Sequence, residues 1–109
     1  MNLSKSLYIK GLQCKKALWL KKYKPEVLTP PSDHLLAVFE TGNEVGDLAC
    51  KLFPEGKEVP YKSNKIELTQ KLLNEGIKDI FEAAFEFDDI LVLVDILHQK
   101  KDGSFEIYE

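Results

Sequence analysis

At Gly76 the apolar residues of this chain change their spacing from every third or fourth position to every second. The residues before that glycine can pack as helices, and those after it must pair as strands. Ser4 is placed to cap a short helix through Leu7, Tyr8 and Leu12, which Gly11 weakens or ends. A second helix is predicted over 13–23, with Cys14, Ala17, Leu18 and Lys21 on one stripe and Trp19 and Leu20 off it, so that it should be covered on more than one side. Pro25, Pro30 and Pro31 impose an extended connector. The longest periodic stretch, 34–53, repeats Val38, Gly42, Val45, Ala49 and Leu52 behind a cap at Ser32 or Asp33, and Pro54 and Gly56 stop it. A helix over 65–75 turns Leu68, Leu72 and Leu73 inward.

Beyond Gly76, Phe81, Ala83, Phe85 and Phe87 alternate with Glu82, Ala84 and Glu86, the pattern of a half-buried strand. Asp88-Asp89 makes a turn, and 90–97 is so uniformly apolar that it reads as a central strand covered on both faces. Lys100-Lys101-Asp102-Gly103 forms a hairpin loop into a third strand over 104–109. The predicted class is α+β: N-terminal helices, then a three-stranded antiparallel meander. A chain of 109 residues fits a single domain or fragment, divided into a basic helical segment over 1–31 and a core over 32–109.

With 44% hydrophobic and 30% charged residues the composition is that of an ordinary folded domain, which excludes disordered and fibrous classes. No apolar run approaches the roughly 20 residues of a membrane span. The first residues lack the apolar stretch of a secretory signal, so the expected compartment is the cytoplasm. There Cys14 and Cys50 stay thiols or metal ligands, and Cys50, on an apolar helix, reads as a core thiol. His34 and His98 read as surface histidines. Residues 1–24 carry seven lysines and no acid, whereas the remainder sets eight lysines against 18 acidic residues. That segment is either a solvated helical surface or a site for a polyanion. Because every base is lysine, it would hold a nucleic-acid backbone and not read base edges.

Asp95 interrupts the most apolar strand, where a lone buried carboxylate costs several kcal/mol or takes up a proton. If the loop Lys101–Gly103 has three residues, Asp95 lies opposite Glu109, about 5 Å away. A two-residue loop puts Glu109 on the other face. In the first register the two carboxylates suit a divalent, oxygen-seeking cation, with Glu82 on the neighbouring strand as a third ligand or supporting partner. Otherwise Asp95 ends its strand in solvent.

The order helix, strand with Glu82-Ala83-Ala84-Phe85, strand Leu91-Val92-Leu93-Val94-Asp95-Ile96-Leu97, hairpin, and Phe105-Glu106-Ile107-Tyr108-Glu109 resembles the first part of a PD-(D/E)XK nuclease core. The likeness is to the RecB-like branch that includes CRISPR-associated exonucleases. It implies an incomplete restriction-endonuclease-like αβββ core with Asp95, Glu109 and Glu82 as catalytic residues, Asp95 and Glu109 holding Mg²⁺ or Mn²⁺. The family lysine would fall two residues past Glu109. A helix imidazole found in several relatives has no counterpart, since Gly42-Asn43-Glu44-Val45 is followed by Gly46. The stretch Gly11-Leu12-Gln13-Cys14-Lys15-Lys16-Ala17-Leu18-Trp19-Leu20 resembles the segment bearing the first cysteine of the branch's 4Fe–4S cluster. That implies a cluster role for Cys14 only in a longer protein.

The resulting expectation is the N-terminal part of a metal-dependent deoxyribonuclease, inactive alone, with Lys15, Lys16, Lys21 and Lys22 on the DNA backbone. Its expected partners are DNA and the missing C-terminal part of the same protein. The alternative expectation is a non-catalytic nucleic-acid- or protein-binding module on a degenerate nuclease scaffold, with 104–109 as an edge strand open to dimerisation.

Overall fold

The computed structural model, which describes residues 2–62 and 64–109, starts three of its four helices behind a side-chain cap. Strand β1 (Leu3–Ser4) leads into α1 (Lys5–Gln13), where the Ser4 hydroxyl accepts from the Leu7 N–H. The helix expected over 13–23 begins two residues later as α2 (Lys15–Tyr23), because Cys14 is extended and its Sγ caps by accepting from the Ala17 N–H. Gly11 does not end α1. A Cβ there would come within 2.9 Å of Leu18 Cδ2, so this glycine is where α1 and α2 pack closely. A short 3₁₀ turn (Pro25–Val27) replaces part of the extended connector, and Ser32 caps α3 (Asp33–Cys50) through the Leu35 N–H. After β2 (Lys57–Glu58) comes α4 (Lys65–Asn74). It ends on Gly76 at φ +79°, with Gly76 N–H bonded to Leu73 and Ile77 N–H to Leu72, a Schellman termination.

The strands β3 (Asp79–Phe87), β4 (Ile90–Gln99) and β5 (Phe105–Tyr108) pair antiparallel in chain order, but they belong to a mixed sheet of five strands. β1 joins β4 in parallel and β2 joins β3 in parallel. Both added strands have two residues, too few for a period of two to be visible in sequence. Asp88 (φ 49°) and Asp89 (φ 60°) form the two-residue β3–β4 turn, with the paired positive φ values of type I′. Lys100 N–H bonds to Ser104 O, and Gly103 takes φ +87°, so the β4–β5 loop is the three-residue alternative, Lys101–Gly103.

The core lies between α4 and one face of the sheet. Val59, Ile80, Ala83, Val94 and Leu97 are buried, and Leu68, Leu72, Leu73 and Ile77 pack on them. The expected alternation along β3 does not hold. The cross-strand pairs Ile80–Leu97 and Ala83–Val94 both join this core although three positions separate them. The pleat therefore skips at Glu82, which adopts φ 57° in mid-strand. Phe85 and Phe87 are exposed as a result, and β4 is central yet uncovered at Ile90 and Val92. Past β2, the open edge of β3 is taken over by α4. Buried Thr69 accepts from the Ala84 N–H at 2.9 Å and donates to Lys65 O at 2.9 Å.

The apolar stripe of α3 is also not buried. Every residue of that helix is exposed except Ala49 and Cys50. Its C-terminal end is held by Phe53, whose ring lies 5.2 Å from His98 and 5.6 Å from Tyr108. No helix among the described residues is long and apolar enough to cross a membrane.

Two substitutions test this packing. Thr69→Val keeps the shape but leaves the Ala84 N–H unpaired, and should lower unfolding free energy by about 1–3 kcal/mol in urea. Gly56→Ala would set a Cβ 2.2 Å from Phe81 Cζ. It should cost about 1–3 kcal/mol by the same measurement, whereas Gly46→Ala, which meets open space, should not destabilise.

Candidate functional site

The site is built by the way β4 shares one edge between two strands. β1 runs along the start of that edge, Ser4 opposite Leu91, and β5 along its end, Tyr108 opposite Ile96. One step past each ladder stand Lys5 and Glu109, and the same register sets Glu109 opposite Asp95. Lys5 Nζ forms an ion pair with Glu109 Oε2. Glu109, first by this hydrogen bond and then by its charge, with a smaller contribution from Asp95, holds the Lys5 ammonium above the ordinary lysine range.

Asp95 is exposed, contrary to the expectation of a buried charge that needs compensation. The flanking Val94 and Ile96 are buried while its carboxylate opens to solvent, so desolvation is not the reason for a partner. Asp95 and Glu109 stand between two clefts and line both. The smaller, about 340 Å³, is walled by Ser4, Lys5, Ser6, Ile9, Leu91 and Leu93. The larger, about 550 Å³, lies between the sheet and α3. Glu58 and Glu82 from the sheet and Asp47 from α3 bring the acids lining it to five.

Glu82 stands opposite Asp95 in the β3–β4 register, but its left-handed backbone takes this position out of the regular ladder. A side chain with a Cβ is strained there. Its Oε2 lies 3.8 Å from Nζ of Lys65, which is itself buried and sits 5.3 Å from the Tyr61 ring centre. Glu82 therefore has a cationic neighbour of its own, as does Glu109. Among the described residues, no three His, Cys, Asp or Glu side chains converge on one point. The donor set is an in-register pair of hard oxygen ligands. It fits a cation such as Mg²⁺ that keeps several waters and takes one or two carboxylates; it is not a closed cage.

Glu58 and the small residues Gly42 and Gly46 of α3 were not singled out for the site by sequence reasoning. The only available signal for the latter was their i, i+4 spacing, which leaves one helix surface free of side chains. Cys50 is not a core thiol. It is half-buried on the wall of the large cleft. Burial pushes its thiol pKa up, and the charges of Asp47, Glu58, Glu82 and Asp95 raise it further. Nor is His98 on the surface: it is half-buried and its Nδ1 shares a hydrogen bond with Asp79. His34 is exposed.

The N-terminal candidates lie elsewhere. Cys14 is exposed at the α1–α2 junction, and with two cysteines in residues 1–109 these residues alone do not fit an iron–sulfur cluster. Lys15, Lys16, Lys21 and Lys22 are all exposed on α2. Comparison with known proteins finds no matching family model, no matching curated protein and no matching solved structure.

The negative field of the large cleft can be read through Cys50. A raised thiol pKa means less thiolate at a given pH, so alkylation of Cys50 should lag that of a free model thiol at pH 8 and recover as the pH rises. Asp47→Asn and Glu58→Gln should each speed the reaction, measured by mass spectrometry with Cys14 replaced by serine.

Proposed function

We propose that this chain belongs to a Mg²⁺- or Mn²⁺-dependent DNA nuclease of the RecB-like PD-(D/E)XK type, and that residues 1–109 bind the cation without hydrolysing DNA by themselves. The observation that carries the reading is the register of Asp95 opposite Glu109 at the mouth of an acidic cleft. Two carboxylates on adjacent strands, open to solvent, can reach a hydrated cation and leave its remaining positions to water and phosphate. When bound, such a cation supplies Lewis-acid polarisation of a phosphoryl oxygen and a more acidic water. In this reading Asp95 and Glu109 hold and orient the cation, and Glu82 accepts a hydrogen bond from its hydration shell. Lys5 neutralises Glu109 until the cation arrives and then faces the substrate phosphate. Lys15, Lys16, Lys21 and Lys22 attract the DNA backbone. The family lysine, two positions beyond Glu109, would add the charge stabilisation that residues 1–109 do not bring to this point.

A second reading, a non-catalytic nucleic-acid- or protein-binding module on the same scaffold, is favoured by the Lys5–Glu109 ion pair. It satisfies Glu109 without any cation. In that case the edge strand β5, with Phe105 and Ile107 exposed, would pair with a second copy or another strand, visible by sedimentation.

Calorimetric titration with Mn²⁺ separates the two. Wild type should bind, Asp95→Ala should bind about tenfold or more weakly, and Lys5→Ala should bind more tightly because a competing charge is gone. Equal behaviour of wild type and Asp95→Ala would remove the metal reading. Robust cleavage of linear single- or double-stranded DNA, abolished by Asp95→Ala, would contradict the inactivity of residues 1–109.

A further inference from the structure

Helix α2 carries its aromatic residues where packing does not need them. Ala17, Leu18 and Leu20 are the half-buried residues of the helix, and Leu18 lies against Gly11 of α1. Trp19 and Tyr23 are instead 50% and 61% exposed. At about 100° per residue, the order around the exposed side is Lys22, Lys15, Trp19, Tyr23, Lys16, all within an arc of about 120°. The two rings thus occupy the centre of one face with lysines on both margins, and Lys21 falls on the opposite side. Their centroids are 5.5 Å apart and their planes meet at 40°, so they do not consume each other's faces by parallel stacking.

A ligand for this face must be anionic and must also offer flat apolar surfaces. Residues 1–24 contain no acidic side chain to oppose the lysine field. A helix made to lie in a membrane surface segregates its apolar residues from its lysines. Here the exposed rings sit between the lysines, the arrangement of a strand-tracking surface in which phosphates and bases alternate. Double-stranded nucleic acid offers its phosphates but keeps its base faces stacked on one another.

We infer that the face formed by Lys15, Lys16, Trp19, Lys22 and Tyr23 is a stacking platform for single-stranded nucleic acid. The lysines hold phosphates, and Trp19 and Tyr23 stack with unpaired bases without sequence preference. This rests on the nucleic-acid part of the proposed function and is independent of its metal part. Lysine ammonium groups contact phosphates as point charges, and ring faces accept any base, so oligothymidylate and oligoadenylate should bind within a few-fold of each other.

The test exploits the fact that Trp19 is the single tryptophan of the chain. In EDTA, to exclude hydrolysis, an oligothymidylate of about 20 nucleotides should quench Trp19 emission saturably. A duplex with the same number of phosphates should bind about tenfold more weakly and leave the emission unchanged. Trp19→Leu and Tyr23→Leu, at exposed positions and checked for folding by circular dichroism, should each weaken oligothymidylate binding by about five- to tenfold in an anisotropy assay. Neither should change duplex binding. Replacing Lys15, Lys16 and Lys22 by glutamine should weaken both ligands and flatten the salt dependence. Equal binding of the two nucleic acids without quenching would overturn the stacking platform while leaving electrostatic nucleic-acid binding in place. No binding of either would overturn the nucleic-acid reading itself. An emission blue-shift with phosphatidylglycerol vesicles, and none with oligonucleotide, would assign the face to a membrane surface and overturn both.

Discussion

Backbone hydrogen bonding along the outer edge of β4 governs the layout of this molecule. A central strand buried at Val94, Ile96 and Leu97 needs partners for its amides, and no single strand supplies them here. β1 serves the beginning and β5 the end, in opposite directions, and between their ladders the edge is left to the residues approaching Asp95. Each partner must leave the sheet where the other arrives. The first residue of α1 and the residue following β5 therefore face each other with opposite charge, 104 positions apart in sequence. The Lys5–Glu109 pair follows from strand geometry before any question of function arises.

Charge is partitioned along the same lines. The lysine-rich helices α1 and α2 pack on each other at one end of the molecule, while the acids of β2, β3, β4 and α3 face the large cleft. Lys5 is the point of contact between the two fields. A chain with a net charge of only −3 thereby presents one surface suited to polyanions and another suited to cations. The pH response of Cys50 and the ionic-strength response of α2 report on them separately.

Local chemistry made much of this readable in advance. Turn residues fixed both hairpins, and the Lys-Lys-Asp-Gly loop, once its three-residue form is known, fixes the opposition of Asp95 and Glu109. Ser4, Ser32 and Gly76 bound helices through their own side chain or backbone, so their roles could be read without tertiary information. The exposure of Asp95 was not readable, because an apolar run records composition and not which faces are covered. Glu82 was misread for a different reason: a left-handed residue in mid-strand changes the phase of everything after it, and glutamate gives no hint of that conformation. Glu58 lies on a two-residue parallel strand that has no sequence signature. The split of the second helix at Cys14 reflects a cysteine acting as a cap, a role its sequence context does not advertise.

The helix α3 forms one wall of the acidic cleft and is fastened at one end only, where Phe53 meets His98 and Tyr108 and where Ala49 and Cys50 are half-covered. Its remaining turns make no extensive contact with the sheet, and the chain has a radius of gyration of 16.1 Å where about 13 Å is usual for this length. Mechanically it is a cantilever. The gap between its free end and the acids of the sheet is set by whatever lies in it or against it, so the cleft can widen or narrow by a small rotation at Phe53 without breaking a single sheet hydrogen bond.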